Sequence, residues 1–170
     1  MNLVELQNKI HAQNKELGWW DEERPFSTFV CLFHSELSEA MEGDRKSLMD
    51  DHLPQYPMFQ VELADFVIRV FDYLGSVYYR DYDSAFEFFV PEGMSNTSLI
   101  AWLHHSVSMS LDSDVGISLV YLASALKGCF VFAEDNNFEL HKIILEKVEY
   151  NKHRADHKRE NRAKQGGKKY

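Results

Sequence analysis

An all-α fold is what this sequence predicts, and three observations carry that reading. Apolar residues recur at three- and four-residue spacing through most of the chain. The prolines at 25, 54, 57 and 91 each fall where that periodicity breaks. No alternating run with hairpin chemistry competes, apart from the ambiguous Phe86-Glu87-Phe88-Phe89-Val90. The expected architecture is an antiparallel bundle of about five to six helices. With 170 residues the chain reads as one domain, 1–170, large enough to bury a core without disulfides.

The elements follow in order. Residues 2–17 predict a first helix, with Leu3, Leu6, Ile10 and Leu17 along one stripe. Gly18-Trp19-Trp20-Asp21 reads as a loop, and Pro25 suits the first turn of a second helix. That helix runs to about Glu42, with Phe29, Leu32, Phe33, Leu37, Ala40 and Met41 on its apolar side. A polar, proline-bearing linker spans 43–57. A third helix over about 58–79 offers Val61, Phe66, Val67, Val70, Phe71 and Leu74 for packing. Further helices are expected over 96–111, 115–134 and 137–160, and residues 160–170 read as a basic flexible tail.

There is an internal echo. Leu32-Phe33-His34-Ser35 resembles Leu103-His104-His105-Ser106, and Val61-Glu62-Leu63-Ala64 resembles Val120-Tyr121-Leu122-Ala123. A duplicated, degenerate helix pair within an extra segment, 80–135, accounts for this no better than coincidence between helical sequences.

Apolar content of 45% and aromatic content of 14% exclude a disordered chain. Cys31 and Cys129 each sit in an apolar run, without zinc spacing, and read as buried thiols in a reducing cytosol. The first residues lack the basic-then-apolar pattern of a secretory signal. The longest apolar stretch, Ile117 to Ala133, is short for a membrane span and carries Lys127. A soluble, cytoplasmic protein with no membrane partner is therefore expected. From Lys147 onward there are nine Lys or Arg against three acids, a local charge of +6. The first 146 residues hold nine bases against 24 acids, or −15. So acidic a body argues against nucleic acid as a partner.

The most informative motifs are Glu36-x-x-Glu39 and, after 22 intervening residues, Glu62-x-x-Asp65. Residues three apart on a helix share a face, with Cβ atoms about 5–6 Å apart. A lone pair of this kind is usually a solvated helix face. Here Leu37 and Ala40 flank the first pair, and Leu63, Ala64 and Phe66 the second, so the carboxylates lie at the buried margin. Four converging carboxylates call for a counter-cation. All-oxygen donors suit a hard divalent ion, Mg²⁺, with Mn²⁺ as a substitute. The competing di-iron carboxylate bundle needs Glu-x-x-His, and no histidine here lies three residues after a glutamate.

Near the C-terminal end, Lys147, Asn151 and Arg154 fall at i, i+4 and i+7, presenting an ammonium, an amide and a guanidinium on one face. Adjacent tryptophans point different ways. One of Trp19 and Trp20 can anchor the core while the other stacks on a nucleobase, and Trp20 is the candidate for stacking. His34 reads as a packed core histidine, and Lys46 as solvent-exposed.

These residues resemble the MazG-like nucleoside triphosphate pyrophosphohydrolases of the all-α NTP pyrophosphatase superfamily. The likeness lies in Gly18-Trp19-Trp20-Asp21-Glu22-Glu23-Arg24, His34-Ser35-Glu36-Leu37-Ser38-Glu39-Ala40 and Val61-Glu62-Leu63-Ala64-Asp65. It extends to Glu146 through Arg154 and the closing Gly166-Gly167-Lys168-Lys169-Tyr170. The resemblance implies hydrolysis of a nucleoside triphosphate, as a (d)NTP, to monophosphate and pyrophosphate. It implies Glu36, Glu39, Glu62 and Asp65 as Mg²⁺ ligands. A carboxylate not saturated by metal can take the proton of an attacking water, and Glu36 or Glu39 is the candidate for that base. Lys147, Asn151 and Arg154 would contact the nucleotide, and the protein would be a homodimer or higher homo-oligomer. A dUTPase-like or phosphoribosyl-ATP pyrophosphatase activity and a non-catalytic nucleotide-binding module are the alternatives. Residues 80–135 have no counterpart in the shortest members, and 155–165 depart from the family's usual ending.

Overall fold

Asn2 begins the first helix by accepting hydrogen bonds from Val4 N and Glu5 N, which satisfies two otherwise orphaned donors. The computed structural model describes residues 2–82, 92–162 and 164–165. The Phe86–Val90 run and the closing residues 166–170 lie outside these.

Among the described residues there are seven α-helices and a 3₁₀ turn, and no strand. They are α1 (Leu3–Glu16), α2 (Phe26–Lys46), α3 (Met58–Ser76), α4 (Asn96–Leu111), α5 (Val115–Asp135), α6 (Leu140–His153) and α7 (Arg159–Arg162). The 3₁₀ turn covers Ala155–His157. The all-α expectation is met, with six long helices and one short one.

Pro25 sits just outside α2, in extended backbone. The helix runs one turn past Glu42 and stops at Ser47, whose φ of 53° lies in the left-handed region. Thus the first residues of the expected linker are helical. The rest is an ordered turn, in which buried Asp50 accepts hydrogen bonds from His52 N and Leu53 N at 2.9 and 2.7 Å.

α3 is the hub, packing on α1, α2, α5 and α6. Thirteen of its nineteen residues are buried, including Val61, Leu63, Phe66, Val70, Phe71 and Leu74. The contacts between α2 and α3 have a clear order. Gly43 lies against Met58 and Phe59, Phe33 meets Phe66, and Phe26 meets Tyr73. α4 and α5 pack on each other, with α4 also on α2. Val107, Ser110 and Ser124, which echo Glu36, Glu39 and Asp65, are buried.

α5 is long and apolar enough to cross a membrane by length and composition, yet half of it is buried inside the domain. Leu122, Ala125, Leu126 and Cys129 are fully enclosed there. Burial pushes the Cys129 thiol well above its ordinary value. Cys31 departs from expectation, because it falls on the outer side of α2 and is exposed.

The expected last helix, 137–160, is broken. Arg154 has extended backbone (φ −63°, ψ 129°), so α6 ends at His153 and the chain turns back through the 3₁₀ segment.

Candidate functional site

α2 and α3 present their acidic faces to each other. Glu36 and Glu62 are buried, while Asp65 is partly enclosed. One carboxylate oxygen from each of the three lies within 4.8 Å of the others. Glu39 is exposed; it lines the same cavity but stands outside this trio. The four-carboxylate expectation is thus resolved into three converging groups and one at the margin.

Three carboxylates this close must be compensated. Arg69 Nε donates to Glu36 Oε1 in a short, charge-assisted hydrogen bond. Lys147 Nζ, with its side chain 1% exposed, pairs with Asp65 Oδ2 at 2.9 Å. Glu62 has neither partner. Burial first, then the charges of Asp65 and Glu36, pushes its carboxyl up to about 9. Asp65 is also raised, by burial, with Lys147 opposing. Burial works against the charge of Arg69, but Glu36 and then Asp65 outweigh it and hold the guanidinium above its ordinary value. Lys147 follows the same pattern, with Asp65 outweighing burial.

The trio opens into a cavity of about 200 Å³. Arg24, Arg69, Lys147 and Arg154 supply positive charge to its walls, and Phe29, Leu32, Phe33 and Ile68 supply the apolar part. Acidic and basic side chains thus face one another across the same space. The oxygen-only donor set fits a hard divalent ion, and among the described residues neither His nor Cys joins it.

The C-terminal residues reach this cavity by different routes. Lys147 and Asn151 project from α6, and Asn151 Oδ1 is buried with no hydrogen-bond partner among the described residues. Such an atom costs stability unless something bonds to it. Arg154 lines the cavity from beyond the helix end, so it is not on the helical face that its i+7 spacing predicts. Its fork is held by Asp156, with Nε on Oδ1 at 3.0 Å and Nη2 on Oδ2 at 2.8 Å.

The tryptophans do face opposite ways. Trp20 turns inward, stacking on Phe29 and donating from Nε1 to Asp72 Oδ1 at 2.9 Å. It is absent from the cavity lining, where Trp19 appears instead. The Arg162 guanidinium covers the Trp19 ring at 3.7 Å, and His157 meets it edge-on.

Sequence reasoning missed Arg69, Arg24, His52 and Asp72. Arg69 carried a signal, since it stands four residues after Asp65 on the same helical face. Arg24 packs over Phe29 and donates from Nη2 to Trp19 O at 2.8 Å. His52 stacks near Tyr150 and stands 3.3 Å from Lys147 Nζ; burial, then Lys147 and Arg154, holds its imidazole below the ordinary value. His34 contacts His104 through their Nδ1 atoms at 2.7 Å, and Lys46 pairs with Glu42, so neither serves the cavity. Compared with known proteins, the chain matches no family model, no curated protein and no solved structure.

Proposed function

We propose that the protein is a Mg²⁺-dependent pyrophosphohydrolase of the MazG-like kind, cleaving a nucleoside triphosphate, as a (d)NTP, to monophosphate and pyrophosphate. One observation carries this reading. Glu36, Glu62 and Asp65 converge from two helices inside a cavity ringed by Arg24, Arg69, Lys147 and Arg154. Oxygen ligands for a hard cation and basic groups for a polyphosphate then share one space.

Glu36, Glu62 and Asp65 would hold Mg²⁺ or Mn²⁺, which when bound neutralises phosphate charge and acidifies a coordinated water. Glu39 is the better candidate for catalytic base. It is exposed, lines the cavity and lies outside the trio, so it is free to take the proton of an attacking water. Glu36 is buried against Arg69 and is assigned to binding rather than to proton transfer. Lys147 and Arg154 stabilise charge on the leaving pyrophosphate, with Arg154 exchanging Asp156 for phosphate oxygens. The unpartnered Asn151 Oδ1 supports a direct contact with the nucleotide. Trp19 takes the stacking role for which Trp20 was the expectation. A homodimer or larger homo-oligomer and a cytoplasmic location belong to the same proposal; the exposed Leu111, Val115 and Ile117 offer apolar surface for a second copy.

The test is pyrophosphate release from a panel of canonical and modified (d)NTPs with and without Mg²⁺. Metal-dependent release with a clear favourite is the expected result. A purely structural role has one observation in its favour, since the trio is already balanced by Arg69, Lys147 and a proton on Glu62. On that reading, no triphosphate is cleaved and Mg²⁺ leaves the melting temperature unchanged.

A further inference from the structure

The two basic partners of the carboxylate trio differ in freedom. Lys147 is enclosed, with 1% of its side chain exposed, and it is further hemmed by His52 at 3.3 Å. Arg69 lines the open cavity, with 38% of its side chain exposed. Both are charged, and each satisfies one carboxylate. A divalent cation placed among Glu36, Glu62 and Asp65 would therefore enter a cluster whose negative charge is already matched, with a guanidinium beside it. Like charges so close repel strongly in a poorly solvated site. The conflict is relieved if one cation leaves, and of the two only Arg69 has space into which to move.

We propose that Arg69 is a displaceable counter-cation that holds Glu36 when no metal is bound and competes with the ion for that carboxylate, thereby setting the metal affinity of the site. The inference rests on the metal-centre reading above and deepens it. It assigns Arg69 a positioning role for which the carboxylate motif alone gives no place. It also gives the displaced guanidinium a destination. The cavity that Arg69 already lines is where a phosphate chain would lie, so the group released by the cation becomes available to the anion. Metal and polyphosphate would then favour each other's binding by linkage, in addition to any direct bridge between them.

A neighbour that merely orients Glu36 makes the opposite prediction, because losing such a partner weakens metal binding by about 10–100-fold. Calorimetry of Mg²⁺ and Mn²⁺ alone, without nucleotide, on wild type, Arg69→Gln and Arg69→Lys distinguishes the two. Competition predicts that Arg69→Gln binds the ions about tenfold or more tightly than wild type, the scale of one charge-assisted hydrogen bond. It predicts that Arg69→Lys, which keeps the charge, stays near wild type, and that Arg69→Gln in chelator melts lower than wild type. Arg69→Met serves as a second neutral replacement should Gln impair folding. Equal or weaker binding by the neutral variants, while wild type binds, overturns the role of Arg69 and leaves the metal centre standing. If Arg69→Lys tightens binding as much as Arg69→Gln does, the role is also overturned, since charge would then be irrelevant. Wild type binding neither ion removes the metal reading itself, and the inference with it.

Discussion

Glu39 and Glu36 are one helical turn apart, yet their surroundings assign them different work. Glu36 is buried and held by Arg69, whereas Glu39 is exposed at the rim of the cavity, where Ser35 Oγ donates to it at 3.3 Å. Substituting Glu39→Gln should lower turnover about 10²–10⁴-fold, the usual contribution of a general base. The circular-dichroism melt should stay at its wild-type position, because no buried partner is lost. Glu62 gives a prediction with a sign. Its carboxyl ordinarily titrates at 4.5 and is raised to about 9 in the fold. A group raised in this way stabilises the fold at low pH, and that contribution is lost as pH climbs from 4.5 through about 9. Without metal, wild type should therefore melt at progressively lower temperature across that window. Glu62→Gln should flatten the slope, melt higher than wild type at the alkaline end, and lose the stabilisation that Mg²⁺ gives wild type. At this scale the sequence disclosed the acidic residues, since three-residue spacing fixes their common face. It did not disclose which tryptophan faces the cavity. That depends on Asp72 taking the Trp20 N–H, a contact 52 residues away in sequence.

The six long helices were legible because each has a periodic apolar stripe and most have a recognisable stop. Their ends were less so. α2 continues through Arg45 and Lys46, whose pairing with Glu42 supports the last turn. α6 stops early at Arg154, where the bidentate contact with Asp156 is available only if the backbone leaves the helix. The α4–α5 pair packs on α2 and α3, yet none of its residues lines the cavity. Gly128 lies tight against Trp102, where an added Cβ would meet Cζ3 at 2.3 Å. Gly128→Val should cost about 1–3 kcal/mol in urea unfolding, as overpacked cores do. Mg²⁺ affinity should be unchanged in that variant, separating the stability of this pair from the chemistry of α2 and α3.

Across the whole molecule, the cavity is assembled from α1, α2, α3, the loops beside them, and residues from Lys147 onward. Several contacts span nearly the full chain. Gln13 Nε2 donates to Val148 O across 135 positions, and Arg159 pairs with Asp21 at 2.9 Å across 138. Local periodicity carries no record of such pairings, so the sequence could name the ingredients of the site but not its walls. They also impose an order on biogenesis. Synthesis delivers the acidic faces of α2 and α3 long before it delivers the ammonium that balances Asp65. Until α6 emerges, closing those faces would bury Asp65 without its ammonium partner, at the cost of an unpaired charge or a bound proton. Closure of the acidic faces of α2 and α3 is thereby tied to the arrival of α6, whose Lys147 lies more than 80 positions after Asp65.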